Sequence, residues 1–205
     1  MRKILAIPAI ATLALAGPVM AADFSYNTLE LGLYGESIDD PNGDEGIDGS
    51  GMTLSGSWAF SPGVFGFASL GGTEYEYRNY DDRDFSLGKL EFGVGFNVPL
   101  SSQVDLVSAV SLQRLRLEDD FNYTLNESGY GLNVGLRGLA GNRFEWTAGL
   151  KYVDLGKGQD DTSWSAGFRY HFTRLFSLGL DIGSTDKDQG NALIGFRWDF
   201  GDRHR

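Results

Sequence analysis

Residues 90–98 read LEFGVGFNV: Leu90, Phe92, Val94, Phe96 and Val98 alternate with Glu91, Gly93, Gly95 and Asn97. Strict alternation marks a β-strand whose two faces meet different surroundings. The same period recurs in roughly ten segments, 24–38, 51–60, 64–78, 85–98, 104–117, 129–140, 144–155, 164–172, 176–183 and 191–200. Helical periodicity is evident nowhere. Ten short alternating segments divided by turn signals predict an all-β barrel or sandwich.

The connections choose between these. SPG (61–63), PLSSQ (99–103), AGNR (140–143) and TRL (173–175) are tight turns. DDPNGDEGIDGS (39–50), NYDDRD (79–84), EDDFNYTLNES (118–128), GKGQDDTS (156–163) and STDKDQG (184–190) are longer and acidic. Short and long alternate along the whole chain. In an up-and-down antiparallel barrel, alternate connections lie at opposite ends, so one end is all turns and the other all loops. That is the layout of a transmembrane β-barrel of an outer membrane, with turns on the periplasmic side. The expected fold is therefore all-β, an up-and-down antiparallel transmembrane barrel of ten strands, with eight as the alternative count. The long connections hold 16 of the 28 acids and three bases, Arg83, Lys157 and Lys187; the turns hold no acid but carry Arg143 and Arg174. Surplus negative charge thus belongs to the loop end.

The apolar parity of each strand is too bulky to point inward. It includes Leu29, Leu31 and Leu33; Met52, Leu54, Trp58 and Phe60; Tyr130, Leu132, Val134 and Leu136; and Ala192, Ile194, Phe196, Trp198 and Phe200. Four or five such residues from each of ten strands would overfill the lumen. Facing lipid, they form a belt, and closure of the barrel leaves no unpaired edge. On the third strand Phe65, Phe67, Tyr75 and Tyr77 are taken as the outward set, over Val64, Ala68 and Leu70. Aromatic residues near strand ends predict interfacial girdles: Trp58, Phe60, Tyr75, Tyr77, Phe144, Tyr152, Trp164, Phe172, Trp198 and Phe200.

The opposite parity carries Glu30, Lys89, Glu91, Asp105, Arg137, Glu145, Lys151, Arg169, His171, Asp181, Arg197 and Asp199. Six carboxylates, five bases and one imidazole are nearly balanced, so a lumen network of paired charges is expected. Gly93 and Gly95 share that parity, which fits a crowded interior. Arg114 and Arg116 break the pattern, sharing the outward parity of Val110 and Leu112. They lie either above the bilayer or beyond a bulge.

The opening MRKILAIPAIATLALAGPVMAA has a positive start, a short apolar run broken by Pro8 and Pro18, and small residues at Val19, Ala21 and Ala22. It reads as a signal peptide over residues 1–22, followed by one barrel domain over 23–205. Removing it takes away two of 17 bases and none of 28 acids, leaving a formal charge of −13. Such a chain does not seek nucleic acid. It has no cysteine, which excludes disulfides, thiol chemistry and Cys-based zinc sites.

Catalytic patterns are missing as well. The two histidines are His171, beside the TRL turn, and His204, in the tail. Neither belongs to the loop end, so no acid–His–Ser arrangement is available there. His171 is expected to hydrogen-bond a lumen carboxylate such as Asp181. GYGLNVG (129–135) misses the spacing of a nucleotide-binding glycine run and begins a strand. The first loop, DDPNGDEGID, is rich in oxygen ligands but fails the EF-hand spacing, and it reads as a solvated acidic loop. No catalytic residue, metal or cofactor is assigned.

The signal peptide, the ten alternating segments, the two-ended loop layout and the final strand ALIGFRWDF together resemble the small outer-membrane β-barrel proteins of Gram-negative bacteria, the OmpX/Ail-like class. That class has eight strands, and its last strand ends in an aromatic residue read by the barrel-assembly machinery. Phe196, Trp198 and Phe200 match that spacing, with GDRHR following. The resemblance implies adhesion, surface defence or envelope integrity, without enzymatic activity. The expected partners are outer-membrane lipid and lipopolysaccharide, the assembly machinery, and an extracellular ligand at the loops. A largely closed lumen with a structural or surface role is the expectation; a small pore for small solutes is the alternative, and an outer-membrane enzyme the weaker one.

Overall fold

The computed structural model describes residues 24–38, 47–77, 84–119, 124–156, 160–185 and 189–200. Residues 1–22, the acidic run 39–46 and His204 lie outside the described residues. The strands are β1 (Thr28–Ile38), β2 (Ile47–Ser61), β3 (Val64–Tyr77), β4 (Asp84–Pro99), β5 (Val104–Asp119), β6 (Thr124–Ala140), β7 (Phe144–Asp154), β8 (Asp160–His171), β9 (Phe176–Thr185) and β10 (Gln189–Asp199). Each pairs antiparallel with its chain neighbour, and β1 closes on β10 through Thr28 opposite Asp199. The ten-strand barrel expected from the alternation is the one observed.

The strands reach further at the loop end than polarity suggests. Residues 47–50, 124–128 and 160–163 read as loop because they are polar, yet they lie in the ladders. Pairing is dictated by the neighbouring strand's free backbone groups, not by side-chain polarity. At the other end, residues 24–27 are not strand. Phe24 and Ser25 are buried.

The molecule is apolar on the outside. Among the described residues the buried apolar side chains are Phe24, Phe65 and Tyr75, while a belt of large hydrophobics from Leu29 to Trp198 is exposed all round. A belt of that extent is a lipid-facing surface. On β4 it runs from Val98 to Leu90. With a rise of ~3.4 Å per residue and a tilt of ~40°, that stretch spans about 20 Å along the axis.

Above the belt the polarity inverts. On β5, Leu112 is exposed on the outside, but beyond it the outward residues are Arg114, Arg116 and Glu118, while Leu115 and Leu117 turn inward. The ladders to β4 and β6 run through this stretch without a register shift, so no bulge is involved. Of the two alternatives for these arginines, position above the belt is the one observed. There the exterior is polar, and the strands follow the ordinary rule of apolar inside and polar outside.

The same inversion corrects the third strand. Leu70 is 59% exposed and Tyr75 only 3%. Phe65 is buried and Ala68 exposed, so the outward set is Ala68 and Leu70 and not Phe65, Phe67 and Tyr75. The Tyr77 side chain lies outside the described residues. Two packing arrangements draw the aromatics inward. The rings of Phe65 and Phe67 lie over Gly95 and Gly93 of β4, where a Cβ would collide with them. Higher up, Tyr75 stacks on Phe85 at 4.6 Å in the zone where the interior is apolar.

Candidate functional site

The lumen is where alternation gathers every strand's polar side chains. Its turn-end half is built round Glu145 of β7, which is 2% exposed. Arg137 of β6 donates to it twice, from Nε to Oε1 and from Nη2 to Oε2, both at 3.0 Å. Arg197 of β10 donates from Nη1 to Oε1 at 3.0 Å and from Nη2 to Oε2 at 2.8 Å. His171 Nε2 of β8 lies 3.1 Å from Oε2. Two forked guanidiniums on one carboxylate fix geometry as well as charge. Asp199 completes the layer, 3.1 Å from Arg197 Nε and 3.7 Å from His171 Nδ1. The partner of His171 is thus Glu145, correcting the expectation of Asp181. Asp181, half-buried, instead lies over Gly167 of the adjacent strand, four residues up the β8–β9 ladder from the His171–Ser177 pair.

The segment ahead of β1 enters this layer. Arg137 Nη1 donates to the Ser25 carbonyl at 2.9 Å, and its guanidinium lies 4.7 Å from the Phe24 ring centre and 4.9 Å from that of Tyr26. Tyr26 donates its hydroxyl to Asp105 of β5 at 2.9 Å, and Asn97 of β4 donates to the same oxygen at 3.3 Å. Burial chiefly raises the Tyr26 hydroxyl above its ordinary pKa; Arg137 opposes this and Asp105 adds to it. The Tyr26 ring also stacks on Phe65 at 4.7 Å. Ions on the β6–β10 side and aromatics on the β3–β4 side therefore fill the turn end together.

Higher up, pairs replace the cluster. Arg169 of β8 reaches Glu30 of β1, donating from Nη2 at 2.9 and 2.8 Å. Lys151 of β7 donates to Glu91 of β4 at 2.6 Å, and Gln113 of β5 to the same carboxylate at 3.4 Å. Lys89 of β4 lies 3.8 Å from Glu36 of β1. Glu36 also accepts from Tyr34 at 2.9 Å and from Tyr75 at 2.6 Å. Beside these groups is a cavity of about 210 Å³, lined by Thr53, Ser69, Thr73, Lys89, Glu91 and Lys151 among others.

All twelve charged positions picked out by parity thus face the lumen. Phe24, Ser25, Tyr26, Tyr34 and Glu36 are lumen residues that parity did not single out. Glu36 was available from its parity with Glu30; the inward turn of residues 24–26 carries no periodic signal. On the outside, Trp58, Phe60, Phe144, Trp164, Phe172 and Trp198 are exposed, and Tyr152 and Phe200 are partly exposed. Among the described residues no group of three or more His, Asp or Glu is arranged to hold a metal ion.

The comparisons with known proteins agree with this geometry. The family model described as the outer membrane protein β-barrel domain matches residues 6–172. Among solved structures, an outer membrane channel from Pseudomonas putida F1 is similar at a TM-score of 0.53 and 9% identity, over 90% of this chain and 97% of that one. The NanC porin is similar at 0.52 and 10% identity, over 83% of this chain and all of the other. At such identities the likeness is one of fold. No curated protein matches the chain.

Proposed function

This chain belongs to the outer membrane protein β-barrel family, and on that premise we propose that it is an outer-membrane barrel with a sealed lumen, serving envelope structure or surface interaction through its acidic loop end. One observation carries the reading: Glu145 is gripped by Arg137, Arg197 and His171 in a buried layer into which Phe24 and Ser25 are packed. A conducting pore needs a continuous polar path or a ring of one charge sign. Here opposite charges are joined across the lumen, and an aromatic segment lies among them. Residues 1–22 act in this reading as the export signal, and lipopolysaccharide, the assembly machinery and an extracellular ligand are the partners. The site has no nucleophile–base–orienter arrangement, which supports a non-catalytic role.

A second reading, a small pore, is favoured by the cavity above the cluster and by the channel and porin descriptions of the two similar structures. Planar-bilayer recording of the chain from Asp23 onward separates the two. Insertion, seen as a heat-dependent gel shift, without current steps supports the sealed lumen. Reproducible steps of one size would establish the pore.

A further inference from the structure

The outward arginines of β5 take no part in the lumen network. Arg114 is the first outward residue of β5 above Leu112, and its Cα stands opposite Leu90 of β4 and Ser128 of β6. Arg116 stands opposite Gly88 and Asn126. Neighbours as small as Gly88, Asn126 and Ser128 leave room for guanidiniums on the outer wall, and the Arg116 side chain is 62% exposed. Directly beneath, the outer wall carries a broad apolar depression lined by Leu70, Leu90, Phe92, Val110, Leu112 and Tyr130. A second recess toward the loop end is lined by Gly72, Glu74, Ser86, Gly88, Arg116 and Glu118 among others.

An apolar trough ending under two guanidiniums matches one kind of molecule, an amphiphile with acyl chains below and an anionic headgroup above. We propose that Arg114 and Arg116 bind the phosphate of an outer-leaflet lipid whose acyl chains lie in the depression beneath them. This rests on the outer-membrane reading, which sets the loop end at the outer leaflet. Arginine suits a phosphate because its planar fork meets two oxygens at once. The position is equally apt, since at the border of the belt the guanidinium reaches headgroup level while its stem lies along apolar surface. Glu118, paired with Arg116, competes with the phosphate, Glu74 across the recess adds to that competition, and Glu118 sets the sign of a diagnostic substitution.

The test uses the chain from Asp23 onward, refolded in phosphatidylcholine vesicles, extracted in mild detergent and titrated with bisphosphorylated or dephosphorylated lipid A, with bound lipid counted by native mass spectrometry. The wild type should retain the phosphorylated form. Arg114→Gln with Arg116→Gln should weaken retention by about tenfold or more, the loss expected for two charge-assisted contacts. Glu118→Gln should strengthen it. Equal retention by wild type and double variant, or equal retention of the dephosphorylated lipid, would overturn the site. The gel shift is read in parallel: insertion with no lipid retention refutes the site alone, while failure of the chain to insert refutes the barrel reading beneath it.

Discussion

At the turn end of the lumen, Glu145 accepts from two arginines and a histidine inside a buried layer; nearer the loop end, Glu91 faces Lys151 beside open space. The residue types are similar, but the surroundings are not. Burying charges is costly, and a buried network holds only when each member has its partners. In the cluster those partners come from β6, β7, β8 and β10, so it ties one side of the barrel together. In the chamber Lys89 and Lys151 remain partly exposed, and the Lys151–Glu91 pair is worth little alone. The barrel is therefore expected to be rigid and shut at one end and adaptable at the other.

The largest expected effect comes from Glu145→Gln. It leaves Arg137 and Arg197 buried without their shared counter-charge, at a cost of about 3–5 kcal/mol. Urea titration of the refolded protein in vesicles measures this; a change below about 1 kcal/mol, the level of an exposed pair, would deny the cluster its special standing. Next is Phe24→Ala, which removes a ring from beneath the Arg137 guanidinium and should cost about 2 kcal/mol. The same titration reads it, and bilayer recording should show more current noise than in the wild type. Tyr75→Phe removes one hydroxyl from Glu36 while Tyr34 still donates, so about 1 kcal/mol is expected. Smallest is Glu91→Gln, which should change stability by no more than about 1 kcal/mol and should lose even that at high salt. If Glu91→Gln matched Glu145→Gln, the contrast between the two ends would collapse.

The barrel is legible in the sequence because lipid outside and charge inside write a two-residue period into every strand, and because turn and loop lengths alternate. The third strand defeats that period because Phe65 and Tyr75 are aromatic and inward. The first covers a glycine on β4, and the second lies above the belt, where polarity inverts. Neither fact can be seen within one strand. Parity places Glu145, Arg137, His171 and Arg197 in the lumen but does not pair them. In the β7–β8 register Glu145 is opposite Arg169, yet Arg169 crosses to Glu30 while Arg137 and Arg197 converge on Glu145. Those choices depend on barrel curvature and stagger, which join residues far apart in the chain.

The contrast is tested most directly by placing one thiol at each end of a protein that has no cysteine of its own. Ser177 is fully buried between Arg197 and His171 in the ladder, and Ser69 lines the upper cavity. The rate at which a charged, water-soluble thiol reagent labels Ser177→Cys and Ser69→Cys is measured on the barrel inserted in vesicles. The account predicts ready labelling at position 69 and protection at position 177. Comparable rates at both would mean that water runs the length of the lumen, and that the barrel is a pore.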